Sequence, residues 1–144
     1  MDTIKMEFLG GMLFYGRTES GHDIFMDSVP KFEGKDTAAR PMEYLGHALA
    51  ACTGMDVVSI LRKMRILNMV KKFEVRVHYE RATEHPKVYT KVHIEYYFET
   101  EKGIPHDKVE KACRLSQERY CPISAMLKEA VPEFGYEVVI NELE

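Results

Sequence analysis

The sequence predicts an α+β fold, with antiparallel sheets packed on a long buried central helix. Three observations carry that expectation. Two runs, 72–81 and 87–100, alternate apolar and polar residues as half-buried strands do. One long segment beginning at Pro41 has apolar or small residues on every helical phase from Leu45 to Leu61. The elements also come in blocks, three strands, a long helix, two strands, two helices and a last strand, rather than in strict alternation.

Taken in order, "IKMEFLG" and "GMLFYGR" read as two strands reversed at Gly10-Gly11, and "HDIFMDS" as a third. Residues 27–40 are polar, with Pro30 and Gly34, and predict a loop. Pro41 opens the long helix, expected to reach about Leu67, with Arg62, Lys63 and Arg65 near its dipole-negative end. Ala48, Ala50, Ala51 and Gly54 would let other backbones approach it closely. In "KFEVRVHYER", Phe73, Val75, Val77 and Tyr79 share a face. In "KVYTKVHIEYYFET", Val88, Thr90, Val92, Ile94, Tyr96 and Phe98 do the same, and "ATEHP" turns between the two strands. From Pro105, Val109, Ala112, Cys113, Ser116 and Tyr120 recur at helical spacing. A short helix follows from Pro122, and "YEVVIN" ends the chain as a strand.

At 144 residues and 45% hydrophobic, the chain can form one domain, 1–144, with a proper core. A net charge of −3 provides no basic surface for phosphates, so nucleic acid is not an expected partner. "MDTIKMEFLG" lacks a cationic start followed by a long apolar run, so no signal peptide is expected. Pro41–Leu61 has no Lys or Arg but holds Glu43, Asp56 and two glycines, and is expected to be a buried helix rather than a membrane span. Three widely spaced cysteines make no disulfide framework and suit a reducing cytoplasm.

The thiols sit in different settings. Cys113 lies on an apolar stripe and reads as structural. Cys121 precedes a helix-opening proline. As the N-cap, its sulfur would meet unpaired backbone N–H groups, a placement that favours thiolate. Cys52 lies mid-helix among small residues, where a core cysteine is the default, and Asp56 shares its face one turn on. Residue by residue, Cys121 is therefore the better nucleophile. The six histidines show no metal-ligand spacing and no CxxC or HExxH occurs, so no metal is expected. His47 reads as a core histidine and His78 and His93 as surface residues. "GRTESG" lacks the glycine pattern of a phosphate loop.

"RPMEYLGHALAACTGMDVVSILRKMR" followed about seventy residues later by "ERYCPISAML" resembles the OsmC/Ohr family of osmotically inducible and organic hydroperoxide resistance proteins. The similarity extends from "ESGHDIFMD" to "YEVVI", and the "PME" and "MDVVSIL" segments look most like a less characterised branch. The resemblance implies an intertwined homodimer with two sites at its interface, no organic cofactor, an organic hydroperoxide substrate, and a dithiol reductant such as a lipoylated protein. On that basis Cys52 is the peroxidatic cysteine and Cys121 the resolving one, which inverts the residue-level ranking. Family peroxidases hold the nucleophile near an Arg–Glu pair. The Glu normally follows the helix-opening proline, but here Met42 takes that place and Glu43 comes next, about 100° further round the helix. Arg17 and Glu43 are the expected pair, with Arg40 and Lys31 as alternative cations. The leading expectation is thus a thiol-dependent organic hydroperoxide peroxidase. The rivals are a redox-responsive or small-ligand-binding protein without efficient turnover, and a structural homodimer with buried thiols.

Overall fold

Gly10 and Gly11 take positive φ values of 102° and 58°, a conformation open to glycine at little cost, and reverse the chain after strand β1 (Glu7–Phe8). Strands β2 (Phe14–Arg17) and β3 (Asp23–Met26) complete a three-stranded antiparallel sheet in the order β1-β2-β3. The first two strands are shorter than the alternation suggested, since only Glu7 and Phe8 find partners, Tyr15 and Phe14. The 27–40 loop contains a short 3-10 turn, Pro30–Phe32, and is tied together by Asp27. Its carboxylate accepts from Ser28 N at 2.7 Å, Thr37 N at 3.0 Å and Thr37 Oγ1 at 2.6 Å. Those donors, the Thr37 hydroxyl foremost, hold its pKa down at about 2.

The computed structural model describes residues 1–144, which form two compact units, Met1–Gly46 and His47–Glu144. Helix α1 (Pro41–Lys63) begins in the first and continues through the second. It stops four residues earlier than expected, and the reason is local. Arg65 adopts a left-handed φ of 61°, with Arg65 N donating to Arg62 O at 3.0 Å and Ile66 N to Leu61 O at 3.1 Å. That is a Schellman motif with arginine in the position glycine usually takes.

In the second unit, β4 (Val70–Arg81) pairs antiparallel with β5 (Tyr89–Thr100), matching Phe73 with Phe98, Val75 with Tyr96 and Val77 with Ile94. Val92, Ile94, Tyr96, Phe98 and Thr100 are buried, as their alternation requires. Strand β6 (Glu133–Glu142) departs from the antiparallel expectation and runs parallel to β5. The chain between them is α2 (His106–Leu115), a π turn (Ser116–Tyr120) and α3 (Pro122–Ala130), long enough for the crossover that parallel strands need.

Helix α1 does not meet the expectation of burial all round. Leu49, Thr53, Val57 and Leu61, four apart, are fully buried, and each large apolar member contributes about 1.5–3 kcal/mol. The other face is open: Met55 is 71% exposed, and His47, Ala48 and Ala51 are exposed too. His47 is accordingly not a core histidine. By length and composition α1 could also cross a membrane, but here its buried line belongs to the core of the second unit. Gly54 lets it approach β4, since a Cβ there would lie 3.1 Å from Val75 Cγ2.

Candidate active site

Helix α3 starts as the sequence predicts. Pro122 is its first residue and Cys121 its N-cap, and the cysteine sulfur accepts from Ser124 N at 3.4 Å. What sequence could not supply is the aim of that sulfur. The helix stripe that holds Val109, Ala112 and Cys113 continues through Ser116 and then breaks, because the next turn is a π turn closed by Cys121 N donating to Ser116 O at 2.9 Å. The extra residue per turn swings Tyr120, expected on the buried stripe, out to 52% exposure. Ser116 and Gln117 stay buried, and Cys121 faces α1.

There it meets Cys52. Both are free thiols, and Cys121 Sγ donates to Cys52 Sγ at 3.3 Å. A disulfide requires about 2.05 Å, so small movements suffice to join them. Cys52 is half-buried, whereas Cys121 is only 2% exposed. Burial pushes the Cys52 thiol above its usual pKa, and contact with the Cys121 thiol adds to the shift. The backbone N–H of Ile123, in the first turn of α3, pulls the other way, and the charge of Asp56 adds a smaller upward push. Cys113 stands apart, wholly buried, with its thiol raised strongly by desolvation.

Beside the sulfurs lies a buried polar cluster that the sequence reading missed. Thr53 Oγ1, next in the chain to Cys52, lies 2.5 Å from Tyr96 OH and 2.7 Å from Ser116 Oγ. Ser116 Oγ donates to Asp56 Oδ2 at 2.9 Å, and Gln117 Nε2 donates to Tyr96 OH at 2.6 Å and to Thr53 Oγ1 at 3.2 Å. Desolvation raises the Tyr96 phenol to about 12, so it remains a donor. The available signal was polar residues on apolar phases: Thr53 in the Leu49–Val57–Leu61 line, and Ser116 on the α2 stripe.

Arg17 and Glu43 belong to the first unit, where each has its own partner. Arg17 Nη1 pairs with Asp23 Oδ1 at 3.0 Å, and that same carboxylate oxygen accepts from Tyr15 OH at 2.8 Å. Glu43 Oε1 accepts from Arg40 N at 2.9 Å, capping the start of α1, and lies 3.8 Å from Arg40 Nε. Arg40 also pairs with Asp36 at 2.5 Å. Lys31 stands over the ring of Phe32. No group of three or more His, Cys, Asp or Glu side chains has the geometry of a metal site. The open face of α1 borders a groove of about 580 Å³ lined by His47, Ala51, Met55, Arg62, Phe73 and Val75 among others, and neither paired cysteine lines it.

A family model for OsmC-like proteins matches residues 34–133. Protein YhfA of Escherichia coli (strain K12) is 35% identical over 136 residues, 94% of this chain and 96% of YhfA. The crystal structure of a hypothetical protein from Aquifex aeolicus VF5 is 28% identical with a TM-score of 0.75, covering 99% of this chain and 98% of that one. An organic hydroperoxide resistance protein from Elizabethkingia anophelis shares the fold, with a TM-score of 0.59 at 15% identity over 99% of this chain and 98% of its own.

Proposed function

We propose that this chain, which belongs to the OsmC-like protein family, reduces organic hydroperoxides with the Cys52–Cys121 thiol pair. The observation that carries the reading is the 3.3 Å approach of two free sulfurs that lie 69 residues apart in the chain. In the first step the Cys52 thiolate attacks the peroxide oxygen and is oxidised to sulfenic acid. The O–O bond breaks, and the alkoxide leaves as the alcohol after taking a proton. In the second step Cys121 attacks the sulfenic sulfur, forming the disulfide and releasing water. An external dithiol then exchanges with that disulfide, itself becoming a disulfide and restoring both thiols. The division of labour fits exposure: half-buried Cys52 can meet a substrate, and buried Cys121 need only meet Cys52.

Other parts of the proposal follow from the same resemblance. The family's activating Arg–Glu pair is assigned to Arg17 and Glu43, which in the single chain are bonded instead to Asp23 and Arg40 and would have to exchange those partners to act as that pair. The protein works as a homodimer, a reading supported by the open, small-residue face of α1. It resides in a reducing cytoplasm, consistent with three free thiols. The test is to mix reduced protein with one equivalent of cumene hydroperoxide and map the cysteines by mass spectrometry. A Cys52–Cys121 disulfide, formed as peroxide disappears and reset by dithiothreitol, is expected. Multiple turnovers undiminished in Cys52→Ser would sink the proposal.

One observation favours a second reading. Cys52 is pushed toward the neutral thiol by burial, which slows attack on peroxide and suits a protein that responds to oxidant without rapid turnover. Stoichiometric oxidation with no sustained peroxide loss would select it.

A further inference from the structure

Five side chains from three elements form the cluster beside the thiols: Thr53 and Asp56 of α1, Tyr96 of β5, and Ser116 and Gln117 of the π turn. Thr53, Tyr96 and Ser116 are fully buried. The donors can be assigned along it. A carboxylate only accepts, so the Ser116 hydroxyl hydrogen points to Asp56. Ser116 Oγ then accepts from Thr53, Thr53 Oγ1 from Tyr96, and Tyr96 OH from the Gln117 amide. Every hydroxyl gives one bond and receives at least one, in a single direction that ends on a charge-assisted acceptor.

The chain of bonds is mechanically connected to both sulfurs. Thr53 adjoins Cys52 on α1. Ser116 O receives the Cys121 backbone N–H at 2.9 Å, and Gln117 O receives Lys128 Nζ of α3 at 2.5 Å. The π turn is therefore pinned to α1 by its side chains, while its carbonyls hold Cys121 and α3.

We infer that Ser116, bonded to Thr53 and Asp56, is a positioning residue that holds Cys121 at striking distance from oxidised Cys52 and so governs disulfide closure rather than peroxide reduction. This deepens the thiol-pair reading and rests on it. The closing step is the one balanced above: an S–S bond forms, the sulfenic S–O bond breaks, and oxygen leaves as water. Losing the Ser116 hydroxyl frees the π turn from Asp56 and leaves it only the longer Gln117 Nε2 bond to Thr53, 3.2 Å, as a tie to α1; a sulfur displaced by about 1 Å can slow such a step on the order of a hundredfold.

The experiment compares wild type, Ser116→Ala, Ser116→Thr and Lys128→Met, all reduced and shown to be folded by circular dichroism. After one equivalent of cumene hydroperoxide, peroxide loss is timed and Cys52 sulfenate is trapped with dimedone. In Ser116→Ala the first phase should stay within about twofold, while closure slows ten- to a hundredfold and the dimedone adduct accumulates. Ser116→Thr, which keeps the hydroxyl, should close at nearly the wild-type rate. Lys128→Met changes an exposed residue and should slow closure several-fold. Closure at the wild-type rate in Ser116→Ala overturns the inference. If Ser116→Ala does not fold, Lys128→Met decides alone, and unslowed closure overturns it. A parallel arm uses diamide, which oxidises two thiols to a disulfide without any sulfenate. Wild-type protein inert to cumene hydroperoxide would remove the peroxidase reading, yet slower diamide closure in the variants would still establish the positioning role, and equal rates would overturn it.

Discussion

Replacing Tyr96 by phenylalanine should destabilise the reduced protein by about 2 kcal/mol, at about 1 kcal/mol for each of two buried hydrogen bonds. The bonds lost are those to Thr53 Oγ1 at 2.5 Å and from Gln117 Nε2 at 2.6 Å. The cost stays near that sum because no group is orphaned by the change. Gln117 Nε2 keeps Thr53 at 3.2 Å, and Thr53 keeps Ser116 at 2.7 Å. The ring itself stays in place against Phe73 and Tyr136, so no aromatic burial is lost. For a chain of 144 residues the unfolding entropy is about 0.3 kcal/mol per kelvin, which makes the Tm shift about 7 °C. The assay is urea unfolding followed by far-UV circular dichroism at fixed protein concentration, in excess reductant. The midpoint should fall with an unchanged m-value. A loss below about 0.5 kcal/mol would refute the reasoning, because the phenol would then be no better bonded in the core than in water. A changed m-value would refute it differently, by showing that the core repacks.

Three further outcomes follow from the electrostatics and packing. Alkylation of Cys52 by iodoacetamide should keep rising well into the alkaline range, because burial raises its pKa above that of an ordinary cysteine, and a plateau at neutral pH would contradict that shift. Stability should fall in alkali. Cys52, Cys113 and Tyr96 all have folded pKa values raised above those of the unfolded chain, Tyr96 to about 12, so the unfolded state releases protons first and stability drains as pH climbs from about 9 toward 12; unfolding midpoints measured across that range check the sign. Gly54→Leu should cost about 1–3 kcal/mol or more by overpacking, since even a Cβ would stand 3.1 Å from Val75, and an unchanged urea midpoint would show that α1 and β4 can separate freely.

The sequence by itself determined the elements whose signals are local. Alternation located β4 and β5 because strand faces repeat every second residue, and Pro122 after Cys121 announced an N-cap because proline suits the first helical position. Paired motifs around Cys52 and Cys121 were enough to place the chain in its family. Other features depended on partners distant in sequence. The parallel course of β6 depends on how a crossover docks, and a ten-residue strand reads the same from sequence whichever way it runs beside its neighbour. The open face of α1 looked buried because Ala, Met and His at 47–55 are compatible with a core, and composition does not say which neighbours arrive. Nor could spacing foresee the π turn, which depends on Ser116 finding Thr53 and Asp56 some sixty residues back in the chain. That turn aims Cys121 at Cys52 across a separation of 69 residues. Residue type endowed this protein with two thiols, but only long-range packing, by paying the entropy of closing that loop, brought their sulfurs within reach of a bond.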